Sequence, residues 1–376
     1  MKILYNIAGT CHSGGMERVL ANKANYLAAH GFEVVIVTTD QQGRQPFFQL
    51  DQRIRCIDLN VNYEENNGKS FFNKLLHYPF KQFIHKQRLK KVLREEKNDV
   101  TVSMFCNDVS FITDIKDGSR KVLEIHFSKL KRLQYNRKGI WRWADLWRSR
   151  MDERLVRRFD KFVVLTKEDA AYWGALPNLE VIPNACTFFP EHPSPLNKRL
   201  VIAVGRYTYQ KGFDRLIKAW NRVGKEFPDW RLQIIGDGEE KEQLQQLIMH
   251  YQLEEQVKLI PPTKQLNAIY QEASFLVMSS HYEGLPMVLI EAQAFGLPVV
   301  SFACKCGPRD IIKDGENGFL VEEGNVGELA AKMKLLMTNN GLLVQMGKQA
   351  RVNARRYDEN KIMTRWINLF NSLEKK

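Results

Sequence analysis

The run Glu283-Gly284-Leu285-Pro286-Met287-Val288-Leu289-Ile290-Glu291, continued by Ala292-Gln293-Ala294-Phe295-Gly296-Leu297-Pro298-Val299-Val300, organises the reading of the whole chain. Gly284 and Pro286 follow the first carboxylate, and proline suits the first turn of a helix. Gly296 and Pro298 stop that helix, and Val299-Val300 reads as a buried strand. Glu283 therefore belongs to the loop before the helix, and Glu291 to its second turn. The helix is apolar nearly all round, so a carboxylate on it is costly unless something hydrogen-bonds to it. A pair of sugar or ribose hydroxyls would serve, and so would a structural arginine.

Working back from this stretch, the same grammar repeats. Residues 200–204 read as a strand, Gly205-Arg-Tyr-Thr-Tyr-Gln-Lys-Gly212 as a loop and 213–227 as a helix. Arg206 and Lys211 thus precede a helix N-terminus, and two cations with free N–H groups suit a diphosphate. A strand at 232–235 ends in Gly236-Asp-Gly-Glu-Glu240, another strand-to-helix turn. Further strands are expected at 257–260, 275–278, 299–302 and 319–321, which makes a doubly wound α/β domain. Helical residues run from about Gly327 to the end.

Pro190-Glu-His-Pro-Ser-Pro-Leu196 is the proline-dense stretch and reads as a linker, dividing the chain into residues 1–189 and 197–355. A second α/β unit precedes it. Strand 3–7, a glycine-containing loop from Gly9 to Gly15, helix 16–30 and strand 34–38 begin a parallel sheet. Gly14-Gly15 at the helix start would let backbone N–H groups approach a phosphate, although a plain tight turn explains the pair equally well. Strands follow at 100–105, 122–125 and 162–165. His126 comes directly after the second of these, at a carboxyl strand end, where open sheets bind ligands; capping of the strand is the plainer reading.

A chain of 376 residues suits two domains, and 44% apolar composition supports ordinary cores. Six scattered cysteines with no CxxC pair fit a reducing compartment. The opening Met-Lys-Ile-Leu-Tyr-Asn-Ile reads as a strand and not a signal peptide, and no run of 18 apolar residues occurs. The expectation is a bacterial-type cytoplasmic protein. Its net charge of +13 is concentrated: residues 69–97 carry nine Lys/Arg against two Glu, and 129–161 carry twelve against four acids. Aromatic residues sit among both, including Phe71, Phe72, Phe80, Phe83, Trp141, Trp143 and Trp147. Such helices suit an anionic membrane surface. A core-facing helix with a solvated back is the alternative, and no nucleic-acid motif is present.

Arg206 with Lys211, Glu283 with Glu291, Gly14-Gly15 and His126 form a set. With Gly-Gly-Met-Glu-Arg-Val at 14–19, Ile-Gly-Asp-Gly-Glu at 235–239 and Gly307-Pro-Arg-Asp-Ile-Ile-Lys-Asp-Gly-Glu-Asn-Gly-Phe-Leu320, the chain resembles a family-4 glycosyltransferase over essentially its whole length. The resemblance implies two Rossmann-like domains facing across a cleft (GT-B) and retaining transfer of a sugar from a nucleotide diphosphate donor. Arg206 and Lys211 would neutralise the diphosphate, and that charge stabilisation is a large part of what a protein offers such a reaction. Glu291 would bind the ribose, Glu283 the donor sugar, and Gly284, Leu285, Pro286 and Met287 would offer backbone groups at the helix start. Gly14 and Gly15 would approach the diphosphate from the other domain, and His126 would orient sugar or acceptor. The catalytic set is then His126, Arg206, Lys211 and Glu283.

No cofactor or essential metal is implied, and no DxD pair is present to hold one. No nucleophile is assigned, because the family's usual route is a same-face reaction in which the leaving phosphate takes the proton. Cys304-Lys-Cys306 is poor zinc evidence. Its region resembles transferases of surface-polysaccharide and lipid-linked oligosaccharide assembly, which favours a UDP-hexose or UDP-HexNAc donor and a saccharide or lipid-linked acceptor at the inner membrane face. The last helix, 356–376, is expected to pack back on the first domain through Trp366, Leu369 and Phe370. A UDP-sugar 2-epimerase of the same architecture and a non-catalytic basic membrane-binding protein are the rival readings.

Overall fold

The computed structural model describes residues 1–66, 71–131, 139–263 and 265–374. Its frame is a pair of parallel sheets. The first contains β1 (Lys2–Ile7), β2 (Glu33–Thr38), β3 (Arg55–Asp58), β4 (Val100–Ser103), β5 (Arg120–Glu124), β6 (Lys161–Val164) and β7 (Leu179–Val181), in the order β3-β2-β1-β4-β5-β6-β7. The second contains β8 (Leu200–Val204), β9 (Arg231–Ile235), β10 (Val257–Ile260), β11 (Phe275–Met278), β12 (Val299–Phe302) and β13 (Gly318–Val321), in the order β10-β9-β8-β11-β12-β13. In each sheet the chain winds outward from its first strand and then reverses to the other side. The β1/β4 and β8/β11 pairs are therefore switch points, where a crevice opens beyond the carboxyl strand ends.

The strands are buried on both faces, so their apolar residues run continuously and divide by parity. Ile3, Tyr5 and Ile7 enter one core with Val34 and Ile36, while Leu4 enters the opposite core with Val35 and Val37. Two edge strands, β3 and β7, are absent from the sequence reading. β3 is Arg-Cys-Ile-Asp with mostly exposed side chains, and β7 has three residues, all half-buried. An edge strand has one neighbour and little burial, so it leaves no apolar run to detect. A second difference concerns Pro286. The helix starts at Met287, and Pro286 caps it with ψ of 93°, outside the helical range, where a place in the first turn was expected.

The proline-dense stretch is fastened to the second sheet's layer. Ser194 Oγ donates to the Ala273 carbonyl at 2.7 Å, and Arg351 Nη2 donates to the Pro190 carbonyl at 2.7 Å. The chain crosses between the two cores beside Cys186, whose N–H donates to the Tyr357 carbonyl at 2.8 Å. From there the helix Glu359–Leu373 lies on the first sheet. Ile362, Met363, Trp366, Leu369 and Phe370 recur at helical spacing on one face and join the core of Ile3, Tyr5 and Leu20. Asp358 caps that helix by accepting the Asn360 N–H.

Two basic helices stand on the first domain, Phe71–Glu96 and Ile140–Val156. Tyr78, Phe80 and Phe83 on the first, and Trp143 and Trp147 on the second, are exposed. Residues 69–70 and 132–138 of the two basic stretches, and the side chains of Phe71, Phe72 and Trp141, lie outside the described residues. No helix among the described residues is long and apolar enough to cross a membrane.

Candidate active site

The second sheet's switch point positions Lys211 and Glu283. Lys211 lies in the turn after β8, and Glu283 in the loop after β11. Lys211 Nζ donates to Glu283 Oε1 at 2.7 Å, and Ser280 Oγ donates to the same oxygen at 2.7 Å. The Glu283 loop is itself clamped, since its N–H donates to the Lys305 carbonyl and its carbonyl accepts from the Cys306 N–H. An ammonium has three donors, so Lys211 keeps two for a ligand while its position is held by the carboxylate. Arg206, directly after β8, is exposed and has no ion-pair partner among the described residues.

Immediately beyond Glu283, the N–H groups of Gly284, Leu285 and Met287 have no protein acceptor among the described residues. Met287 begins the helix Met287–Ala294, and Gly284 and Leu285 lie just ahead of its cap Pro286; together they make a ready cradle for phosphate or sugar oxygens. Gly284 is also where the two domains touch. A Cβ there would lie 2.7 Å from the His126 carbonyl oxygen, so only glycine permits this approach of backbones. Gly236 marks a similar approach within the second domain, where a Cβ would fall 1.9 Å from the Gly205 carbonyl and displace the Arg206 loop.

His126 thus meets the second domain through its backbone. Its imidazole Nε2 lies 3.1 Å from Glu124 Oε1 and is nearly buried. Glu124 also pairs with the buried Lys23, whose ammonium stands 3.7 Å from the centroid of the Trp366 ring. Burial alone would raise the Glu124 carboxyl, yet Lys23 and His126 hold it down at about 2. The imidazole therefore lies against a buried carboxylate. Nearby, Ser103 Oγ donates to the fully buried Asp108 at 2.9 Å, and burial pushes that carboxyl up to about 6.

Gly14 caps the helix Gly15–Ala29; a Cβ on Gly15 would have nothing within 4 Å, whereas one on Gly14 would meet the Glu17 carboxylate. On the first turn of that helix Arg18 reaches across the cleft. Its Nη2 donates to Glu291 Oε1 at 2.5 Å, while Tyr270 Oη donates to Glu291 Oε2 at 3.1 Å. An arginine was one of the partners considered for Glu291, and it comes from the other domain. Elsewhere along the seam, the Asp310 carboxylate accepts the N–H groups of Lys167 and Glu168, and Cys306 Sγ lies 3.1 Å from Ser128 Oγ. Burial pushes the thiols of Cys304 and Cys306 up. No metal-holding group of three His, Cys, Asp or Glu occurs among the described residues. A hollow of about 680 Å³ lined by Arg94, Lys97, Asp117 and Arg120 lies at the amino ends of β4 and β5, away from all these groups.

The sequence reading missed Arg18, Tyr270, Ser280, Lys23 and Glu124. Arg18 stood within the quoted Gly-Gly-Met-Glu-Arg-Val run, but its reach to the other domain has no signal in local pattern. Tyr270 and Ser280 carry no motif at all.

Residues 13–186 match the family model described as Glycosyltransferase Family 4, and residues 186–353 the one described as Glycosyl transferases group 1. An uncharacterized glycosyltransferase of Haemophilus influenzae is 32% identical, over 97% of this chain and 98% of its own. A relative from Campylobacter jejuni, 27% identical over 98% of each chain, is named GalNAc-alpha-(1->4)-GalNAc-alpha-(1->3)-diNAcBac-PP-undecaprenol alpha-1,4-N-acetyl-D-galactosaminyltransferase. Among solved structures, the crystal structure of TarM superposes with a TM-score of 0.82 at 18% identity, covering 98% of each chain. The chain belongs to the family-4 glycosyltransferases and has their two-domain GT-B fold.

Proposed function

We propose that the protein transfers a hexose or N-acetylhexosamine, with retention, from a UDP-sugar to a hydroxyl of a saccharide or lipid-linked saccharide, without an essential metal. The observation that carries this is the convergence of Lys211, Glu283 and the free N–H groups of Gly284, Leu285 and Met287 at one switch point, with exposed Arg206 in the adjoining loop. That is the arrangement a departing nucleotide diphosphate needs, because charge developing on its phosphate meets fixed donors in place of a metal. The name of the Campylobacter relative supports a lipid-linked saccharide as acceptor and an N-acetylhexosamine as the moving sugar.

The test is thermal unfolding with EDTA present, across UDP-glucose, UDP-galactose, their N-acetylated forms and GDP-mannose, followed by a product assay. A donor at a hundred times its Kd adds about 2.7 kcal/mol. A UDP-sugar is expected to stabilise the protein and to be consumed when a saccharide acceptor is added. Donor conversion without acceptor would favour the epimerase, and stabilisation by GDP-mannose alone would overturn the donor base.

The acceptor's membrane sets a second expectation. Tyr78, Phe80 and Phe83 on one basic helix and Trp143 and Trp147 on the other are exposed on the first domain. Exposed aromatics among cations suit an anionic interface. Replacing Phe80, Phe83 and Trp143 with Ser is expected to reduce sedimentation with phosphatidylglycerol vesicles several-fold. Unchanged sedimentation would remove the membrane from this reading.

A further inference from the structure

The carboxylate of Glu291 is shared between domains in a way that the placement of a ribose ligand on the second domain alone does not require. Glu291 stands on the helix Met287–Ala294 of the second domain, and its oxygens are divided. Oε1 takes Arg18 Nη2 from the first domain at 2.5 Å, and Oε2 takes the Tyr270 phenol at 3.1 Å. Tyr270 is fully buried, and both burial and the Glu291 charge push its phenol well up, so it remains a proton donor. Each carboxylate oxygen accepts two hydrogen bonds. One site on each oxygen is occupied, which leaves one on each, a match for two vicinal hydroxyls. The side chain of Glu291 is 17% exposed, so those remaining sites are reachable.

The geometry points to Arg18 as a positioning residue for nucleotide recognition: by tying Glu291 across the cleft, it completes the ribose-binding carboxylate only when the two domains are together. Arg18 sits one turn beyond Gly14, whose carbonyl accepts the Arg18 N–H, so the helix start that carries the glycine pair also supplies the donor to Glu291. A lone Tyr270 bond leaves the carboxylate free to rotate about it. Two donors on two oxygens from opposite domains fix its plane. Domain closure and ribose recognition are thereby coupled, and an open enzyme would hold the nucleotide with its phosphates but read its sugar poorly.

This inference rests on the reading of Glu291 as the ribose ligand, and the experiment separates the two. Binding of UDP and 2′-deoxy-UDP is measured by calorimetry for the wild type and for Arg18→Ala, Arg18→Lys and Glu291→Ala. A hydrogen bond to a charged group corresponds to about a 10- to 100-fold preference for UDP in the wild type. Glu291→Ala is expected to abolish that preference, Arg18→Ala to reduce it to within about threefold, and Arg18→Lys to restore part of it. These levels follow from the same hydrogen-bond arithmetic. If the wild type shows no preference, or Glu291→Ala retains it, the ribose reading fails and takes the inference with it. If Glu291→Ala abolishes the preference but Arg18→Ala keeps it, the ribose reading stands and the role of Arg18 is overturned. A loss of packing alone would weaken both nucleotides equally and leave their ratio unchanged.

Discussion

Lys211→Ala is expected to lower kcat by about 10²- to 10³-fold, the loss that follows removal of one donor aimed at developing charge. The ammonium is held at 2.7 Å from Glu283 in the turn after β8, so it needs no reorganisation as the phosphate departs. Fixing a cation in advance is what makes such a group effective, and a flexible surface lysine would contribute far less. Thermal stability should fall only modestly. Ser280 still donates to Glu283 after the substitution, and Lys211 itself is partly open to solvent. Steady-state rates with the donor identified by thermal shift, measured beside unfolding curves, check both halves. A variant that keeps more than about a tenth of the wild-type turnover would remove Lys211 from the chemistry, since that exceeds the residual left by losing such a donor.

Trp366→Ala carries the largest expected cost to folding, about 3–5 kcal/mol. Trp366 is 1% exposed and fills the first domain's core from the last helix. Its loss would open a cavity large enough to admit water beside the buried Lys23–Glu124 pair, over which the indole lies. The same helix is the return crossing of the chain, so its loosening should be felt at the cleft through Tyr357 and Cys186. Urea unfolding gives the stability directly, through a lowered midpoint at similar slope. A change below about 1 kcal/mol would mean that the helix Glu359–Leu373 is not an integral part of the first domain's core.

Much of this was legible along the chain because it depends on local rules. Runs of apolar residues bounded by glycine and proline determined most strands of both sheets, since a strand buried on two faces has no room for polar residues. Glu283 and Glu291 stood out because carboxylates beside or on a helix that is apolar nearly all round need partners. Trp366, Leu369 and Phe370 announced a packing face by their spacing.

Other features came from contacts between distant residues. β3 and β7 exist because a neighbouring strand recruits them, and their own residues carry little burial to betray it. His126 was readable as a strand-end residue, but that its ring turns to Glu124 and its carbonyl meets Gly284 depends on the closeness of two domains. Arg18 and Glu291 lie 273 residues apart, and no pattern in either segment names the other. By itself the sequence determined two doubly wound α/β units and which charged residues gather at their strand ends, because periodicity and turn chemistry act over a few residues. Only the tertiary structure decided how those charges are paired across the cleft, because hydrogen bonds between domains depend on how two independently built surfaces meet.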